Sequence, residues 1–143
     1  MKTTLSLEEV MEQHPLLNHA GYGCGRGDKR GAADVAMDRS RLLLATDEFE
    51  RAVEWIAANL EPTKNIDHDG PSSYGMKHIA EPECGYIANG PWIAAMLACG
   101  YRAGPIGHPF FNPSFDARLT AAARRRHSER RNGGTSPTVG GQP

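Results

Sequence analysis

Apolar positions recur at helical spacing in several separate stretches of the chain, each bounded by capping residues, glycines or prolines. The first is short. Ser6 is followed three residues later by Glu9, the capping-box spacing, with Leu5 and Val10 placed for a hydrophobic staple and Leu7, Val10 and Met11 on one side. His14-Pro15 ends it after about two turns, because the residue before a proline is pushed out of the α region. A second helix is expected over 32–45, with Val35, Met37 and Leu42-Leu43-Leu44. The best defined runs over 47–60, capped by Thr46, with Asp47, Glu48 and Glu50 in the first turn, where the helix dipole favours negative charge. Phe49, Val53, Ile56 and Leu60 line one side of it, with Ala52 and Ala57 beside them. Trp55 falls off this stripe, and the aromatic area it would leave in water argues for burial.

Beyond Glu61-Pro62 a polar stretch reaches Gly70-Pro71 and reads as a linker. Ser72 or Ser73 then caps a short helix with Tyr74, Met76, His78, Ile79 and Ala80, which Pro82 interrupts. After a turn at 84–88, Asn89 is placed as an N-cap for an apolar helix over 92–99, closed by Gly100. Ala94, Ala95 and Ala98 leave its surface smooth enough for another helix to press against. Gly104-Pro105, Gly107, His108-Pro109 and Asn112-Pro113 exclude a long helix over 104–113, so a loop or a short extended piece is expected there. Ser114 is placed to cap a last helix over 115–131, and 132–143 is expected to be disordered. The fold class is therefore mainly α: a small single-domain helical bundle over 1–131 with an irregular Gly/Pro-rich segment and a basic C-terminal helix.

Composition agrees with one domain carrying much loop: 143 residues, 39% hydrophobic, with 16 Gly and 10 Pro. No apolar run approaches the roughly 20 residues needed to span a bilayer, and the N-terminus lacks a signal-peptide pattern, so a cytoplasmic protein is expected. Cys24, Cys84 and Cys99 are odd in number and widely spaced, which fits reduced thiols better than a disulfide framework or a zinc ribbon.

The formal net charge of −1 conceals a division along the chain. Residues 1–117 carry a net −6, whereas residues 118–143 carry six arginines and one glutamate, a net +5. Such an arm can reach nucleic acid, an acidic protein face or the molecule's own body, or simply solubilise an exposed terminus, and Arg118, Arg124, Arg125, Arg126, Arg130 and Arg131 are its candidate phosphate contacts. A second basic feature is the Gly-punctuated stretch 18–31, where Arg26, Lys29 and Arg30 lie among five glycines. Backbone N–H groups in such a loop can approach an anion, but neither Gly-x-Gly-x-x-Gly nor Gly-x-x-x-x-Gly-Lys-Ser/Thr occurs, and a mobile, solvated loop is the better explanation of the composition. His68, His78, Cys84, Cys99 and His108 have no metal-site spacing, and no nucleophile-elbow pattern is present, so neither metal nor cofactor is expected.

Ser73-Tyr74-Gly75-Met76-Lys77-His78, followed by Tyr86-Ile87-Ala88-Asn89-Gly90-Pro91-Trp92-Ile93-Ala94-Ala95 and then Gly100-Tyr101, resembles a group of small uncharacterised proteins of phages and other mobile elements. These carry Ser-Tyr-Gly-x-Lys-His and then Tyr-Ile/Val-x-Asn-Gly-x-x-Ile-x-Ala-Ala before a Gly-aromatic pair. The resemblance covers about a fifth of the chain, Pro91 and Trp92 depart from it, and it implies a genomic setting rather than a mechanism. The segment has the outline of a helix-turn-helix, yet its second helix offers no polar side chain to a base edge. The expectation is a small non-catalytic binding protein that contacts nucleic acid, or a nucleic-acid-handling host protein, through the basic C-terminal helix. Lys77 and His78 would support backbone contacts, against the plainer roles of a solvated lysine and a packing or capping histidine. The alternatives are an adaptor or inhibitor of a host factor, recognised through Trp55, Trp92 and Phe110-Phe111, and an enzyme with a site around His78.

Overall fold

The computed structural model describes residues 4–22, 32–104 and 112–133. In chain order its elements are helix α1 (Leu7–Gln13), strands β1 (Leu17–Asn18) and β2 (Gly21–Tyr22), helices α2 (Ala32–Leu43) and α3 (Thr46–Asn59), and strand β3 (Leu60–Pro62). Helices α4 (Ser73–Cys84) and α5 (Asn89–Ala98), strand β4 (Ala117–Leu119) and helix α6 (Ala121–Gly133) complete it. The protein is mainly helical, with two small antiparallel pairs, β1 with β2 and β3 with β4.

Helix α5 is buried around nearly its whole circumference, from Gly90 through Met96 and again at Ala98. A helix without a polar face has nothing to show to water, so the other elements must enclose it. Helix α3 lies along it, α1 and α4 pack beside it, and the β1–β2 hairpin closes over its N-terminus. Trp55 of α3 meets Trp92 of α5 with ring centroids 6.0 Å apart. Turning Trp55 inward rotates the buried side of α3 onto Phe49, Ala52, Trp55 and Ile56, which leaves Ala57 exposed and Val53 half-buried.

Helix α1 has the full capping box: the Ser6 hydroxyl accepts from the Glu9 N–H at 3.1 Å and the Glu9 carboxylate accepts from the Ser6 N–H at 2.8 Å. Its C-terminal carbonyls are gathered by Arg39 of α2, whose guanidinium donates to the carbonyls of Met11, His14, Pro15 and Leu17 at 2.6–3.1 Å. A lysine could not reach this set from one position, because only the planar fork projects donors in several fixed directions.

Several local expectations yield to longer-range pairing. Residues 17–22 form a two-residue hairpin instead of opening a loop, with the Asn18 side chain accepting from the Ala20 N–H to make the turn. Thr46 is the first helical residue of α3; Ala45 is the N-cap, and the Thr46 hydroxyl donates back to the Leu43 carbonyl at 3.5 Å. Leu60 leaves α3 as a strand, not as a fourth apolar position of the helix. Helix α4 begins after its Ser72 cap and passes through Pro82 to Cys84. A proline so near a helix end forfeits a single ladder bond, and Arg51 holds the following turn by donating to the Cys84 and Tyr86 carbonyls. Gly85, at φ 84°, takes the left-handed conformation that stops the helix. Asn89 is inside α5, and its side-chain amide donates to the Ala20 carbonyl and to the Asn112 side chain in place of capping.

The largest departure is at 115–119, expected as the start of the last helix: Ala117–Leu119 are strand β4, and Phe115 makes an isolated bridge to Ala103. Residues 60–67 and 102–104 both hydrogen-bond to this segment: Thr63 N–H donates to Asp116, Asp67 N–H to Phe115, Gly104 N–H to Ser114, and Asp116 N–H to Arg102. Ser114 is therefore no helix cap, and α6 starts six residues later than expected, with the Thr120 hydroxyl accepting from the Ala123 N–H. Its end also differs: 132–133, assigned to a disordered tail, are helical. Most of the Gly-rich loop, the irregular segment from 105 to 111 and the rest of the tail lie outside the described residues.

Gly90 is the position where the hairpin and α5 come closest. A β-carbon there would lie 2.7 Å from the His19 Cα and overlap the Asn18 carbonyl oxygen, whereas the Gly90 N–H itself donates to the His19 carbonyl at 2.9 Å. Gly90→Ala is expected to cost about 2–3 kcal/mol in urea unfolding by forcing the hairpin off the helix. Gly75→Ala, which meets only the Pro71 Cβ at 3.1 Å and gains helix propensity, is expected to stay within about 1 kcal/mol of the parent.

Candidate functional site

Lys77 is 3% exposed. Its ammonium donates to the Glu81 carboxylate at 2.9 Å and lies 5.3 Å from the centroids of both the Tyr74 and Tyr86 rings. An ammonium removed from water needs such a set: one opposite charge, one hydrogen bond and two electron-rich ring faces. Lys77 is thus neither a solvated helix residue nor a side chain that reaches a phosphate. Glu81 also accepts from the Ile87 N–H at 3.2 Å, and His78 Nδ1 lies 3.1 Å from its carboxylate. Burial alone would raise its carboxyl pKa, but the Lys77 and Ile87 hydrogen bonds with the Lys77 and His78 charges bring it below the usual range. His78 is about half exposed, edge-on to Tyr74 at 4.4 Å. The Ser-Tyr-Gly-x-Lys-His motif therefore builds a charge-and-ring clamp that fastens the α4–α5 turn.

A second carboxylate organises the C-terminal helix. Glu83 accepts from Trp55 Nε1 at 2.8 Å, from Arg126 at 2.9 and 3.1 Å, and from Arg130 at 2.7 Å. Arg126 also donates to the Asn59 side chain. The Arg126 hydrogen bond, opposed by burial and assisted by Arg130 and Trp55, draws the Glu83 carboxyl down to about 2. Ala123, buried, Arg126 and Arg130 are one face of α6, so the helix is fastened to the body by a small apolar contact and this carboxylate. Arg118 is spent as well. It stands opposite Glu61 in the β3–β4 register and pairs with it at 2.7 Å.

What remains is a partition of the six C-terminal arginines. Arg118, Arg126 and Arg130 are paired with Glu61 or Glu83, while Arg124, Arg125 and Arg131 are exposed with no acidic partner among the described residues, Arg124 donating to the Leu119 carbonyl at 3.2 Å. Arg124 and Arg131, two turns apart, share a side of α6 with His127 and Ser128, at offsets of 3, 4 and 7 from Arg124. Arg26, Lys29 and Arg30 lie outside the described residues.

Elsewhere the structure offers less chemistry. Trp55 and Trp92 are both buried and present no contact surface, and Phe110 and Phe111 fall outside the described residues. Helix α5 is core, which agrees with its lack of polar side chains and removes it as a base reader. A shallow groove of about 680 Å³ runs past Leu5, His14, Leu97 and Tyr101. Burial pushes the Tyr101 hydroxyl up to about 12 and the His14 ring down, and His14 Nδ1 is 2.8 Å from the Tyr22 hydroxyl. No helix among the described residues is long and apolar enough to cross a membrane.

The sequence pointed to the arginines but not to the carboxylates that sort them. Glu81 was legible in principle, four residues after Lys77 on one helix. Glu83 was not, since its partners are 28, 43 and 47 residues away. No family model, no curated protein and no solved structure matches the chain.

Because the folded-state pKa of Glu83 is depressed, its contribution to stability is complete above the unfolded carboxylate value near 4.3 and is lost as pH falls toward 2. Glu83→Gln is therefore expected to be less stable than the parent at pH 7 and to approach it at pH 2, in denaturant midpoints measured across that window. The same variant should raise hydrogen exchange in α6 above the change in α1.

Proposed function

We propose that the chain is a small non-catalytic binding protein, of the kind phages and other mobile elements carry, and that it contacts nucleic acid through the exposed side of α6. The observation that carries this reading is the partition of the C-terminal arginines. Three are neutralised by Glu61 and Glu83, and the three that are not, Arg124, Arg125 and Arg131, occupy a solvent-facing helix surface on an otherwise acidic molecule. Arginines held on a helix at fixed spacing, about 10 Å between Arg124 and Arg131, neutralise phosphates at low entropic cost and give affinity with little sequence selectivity. Ser128 supplies a hydroxyl on the same surface. The net −6 of residues 1–117 favours this helix over the rest of the molecule as the place where phosphate is met.

Three phosphate contacts set the expected salt dependence. Affinity for a short duplex should fall with a logarithmic slope of about −2.7 against salt, roughly 40-fold between 50 and 200 mM. Replacing Arg124, Arg125 and Arg131 by alanine together should abolish binding in fluorescence anisotropy without moving the melting temperature. Binding unaffected by that triple substitution, or absent from the parent protein at 50 mM salt, would exclude this interface.

A further inference from the structure

Helix α2 is amphipathic in the wrong sense. Its inward side carries Asp38, which is buried, Arg39, which clasps α1, and Leu42, the one fully buried apolar side chain among those described on this helix. Its outward side is uncharged: Ala33, Ala36, Met37, Ser40 and Leu43, continued by Leu44 just past the helix end. Met37 is 58% exposed, Leu43 45% and Leu44 86%. Of the six large hydrophobic residues exposed to this degree among those described, three fall on this one short helix and its last turn. Scattered apolar exposure is ordinary, whereas an apolar stripe at regular helical offsets marks a surface made for another surface.

We infer that this face is a symmetric dimer interface in which α2 packs antiparallel against α2 of a second copy. The stripe Ala33, Met37, Ser40, Leu44 has spacings of 4, 3 and 4, the pattern of a two-helix seam. Read in reverse it complements itself: Ala33 falls opposite Leu44 of the second copy, and Met37 opposite its Ser40. Every large side chain thus meets a small one, which is what a twofold interface requires of a single sequence. Charge agrees with size. Asp34 and Arg41 both flank the stripe on the same side, at opposite ends, and antiparallel packing brings like flanks together. The Arg41 guanidinium, 62% exposed by side chain, paired at 3.1 Å with Asp38 and 3.9 Å from the Met37 sulfur of its own helix, then lies within about one turn of Asp34 of the second copy. Parallel packing would instead set Leu44 against Leu44 and leave Arg41 of one copy and Asp34 of the other on opposite sides of the seam. A seam one 12-residue helix long, about 18 Å, supports a reversible dimer and not a permanent one. The inference does not depend on nucleic-acid binding.

Sedimentation velocity on the full chain, from 1 to 300 μM without nucleic acid, tests it. The expected result is a concentration-dependent shift from about one chain mass to twice that mass, and a monomer at every concentration would overturn the proposal. Leu44→Glu, at a site already exposed and so harmless to folding, should weaken dimerisation at least tenfold. Ala33→Lys added to Leu44→Glu should restore it, because the lysine and the glutamate face each other only in the antiparallel register. A dimer indifferent to Leu44→Glu, or a double variant no better than the single one, would place the contact elsewhere. Circular dichroism of each variant separates a lost interface from a lost fold.

Discussion

A ten-residue helix with no polar side has to be surrounded, and most of this molecule is arranged to do so. Helix α5 brings Trp92, Ile93 and Met96 together with three alanines, and its burial is nearly complete. The alanines let α3 approach closely, and the Trp55–Trp92 contact then fixes the rotation of α3 about its own axis. At its N-terminus the glycine at 90 lets a backbone hairpin lie where a side chain would otherwise project. What α3, α1, α4 and the hairpin share is this one partner, so their mutual positions follow from it.

Around that core, the polar groups that matter most are carboxylates that collect donors, from nearby residues at Glu81 and from distant parts of the chain at Glu48 and Glu83. Glu81 fastens the α4–α5 turn, Glu48 takes the Ala88 N–H at 2.6 Å, and Glu83 fastens α6. Such groups are stabilising only when their donors are in place, since a buried or half-buried carboxylate without partners would be costly. Helix α6 depends on this device more than any other element. It buries little apolar surface of its own, and two of its arginines are committed to holding it. The functional reading follows from the remainder, because a cation already paired in a half-buried site has little left to offer a phosphate.

Much of the fold was legible in the sequence, and the failures share a cause. The capping box at Ser6, the acidic first turn of α3, the Ser72 cap and the Gly100 stop are local devices, each decided within about four residues, and each is present. Residues 115–119 read as helix because a serine precedes them and helix formers follow. They are not helical, and Ala117–Leu119 form β4, because backbone groups of 60–67 and 102–104 hydrogen-bond to this segment, and no local pattern reports such pairing. Lys77 illustrates the same limit at a side chain. Its identity and spacing fit a solvated lysine, and only the convergence of Tyr74, Tyr86 and Glu81 shows that it is buried.

By itself, the sequence determined the helical class, the apolar character of α5 and the concentration of positive charge after residue 117, because each is a property of nearby residues taken together. Which of those positive charges are available was decided by tertiary structure alone. The six C-terminal arginines are chemically alike, and their roles separate only when folding brings Glu61 and Glu83 to three of them and to none of Arg124, Arg125 and Arg131. Short-range order is encoded in spacing along the chain, whereas electrostatic pairing depends on distance in space, which spacing does not fix.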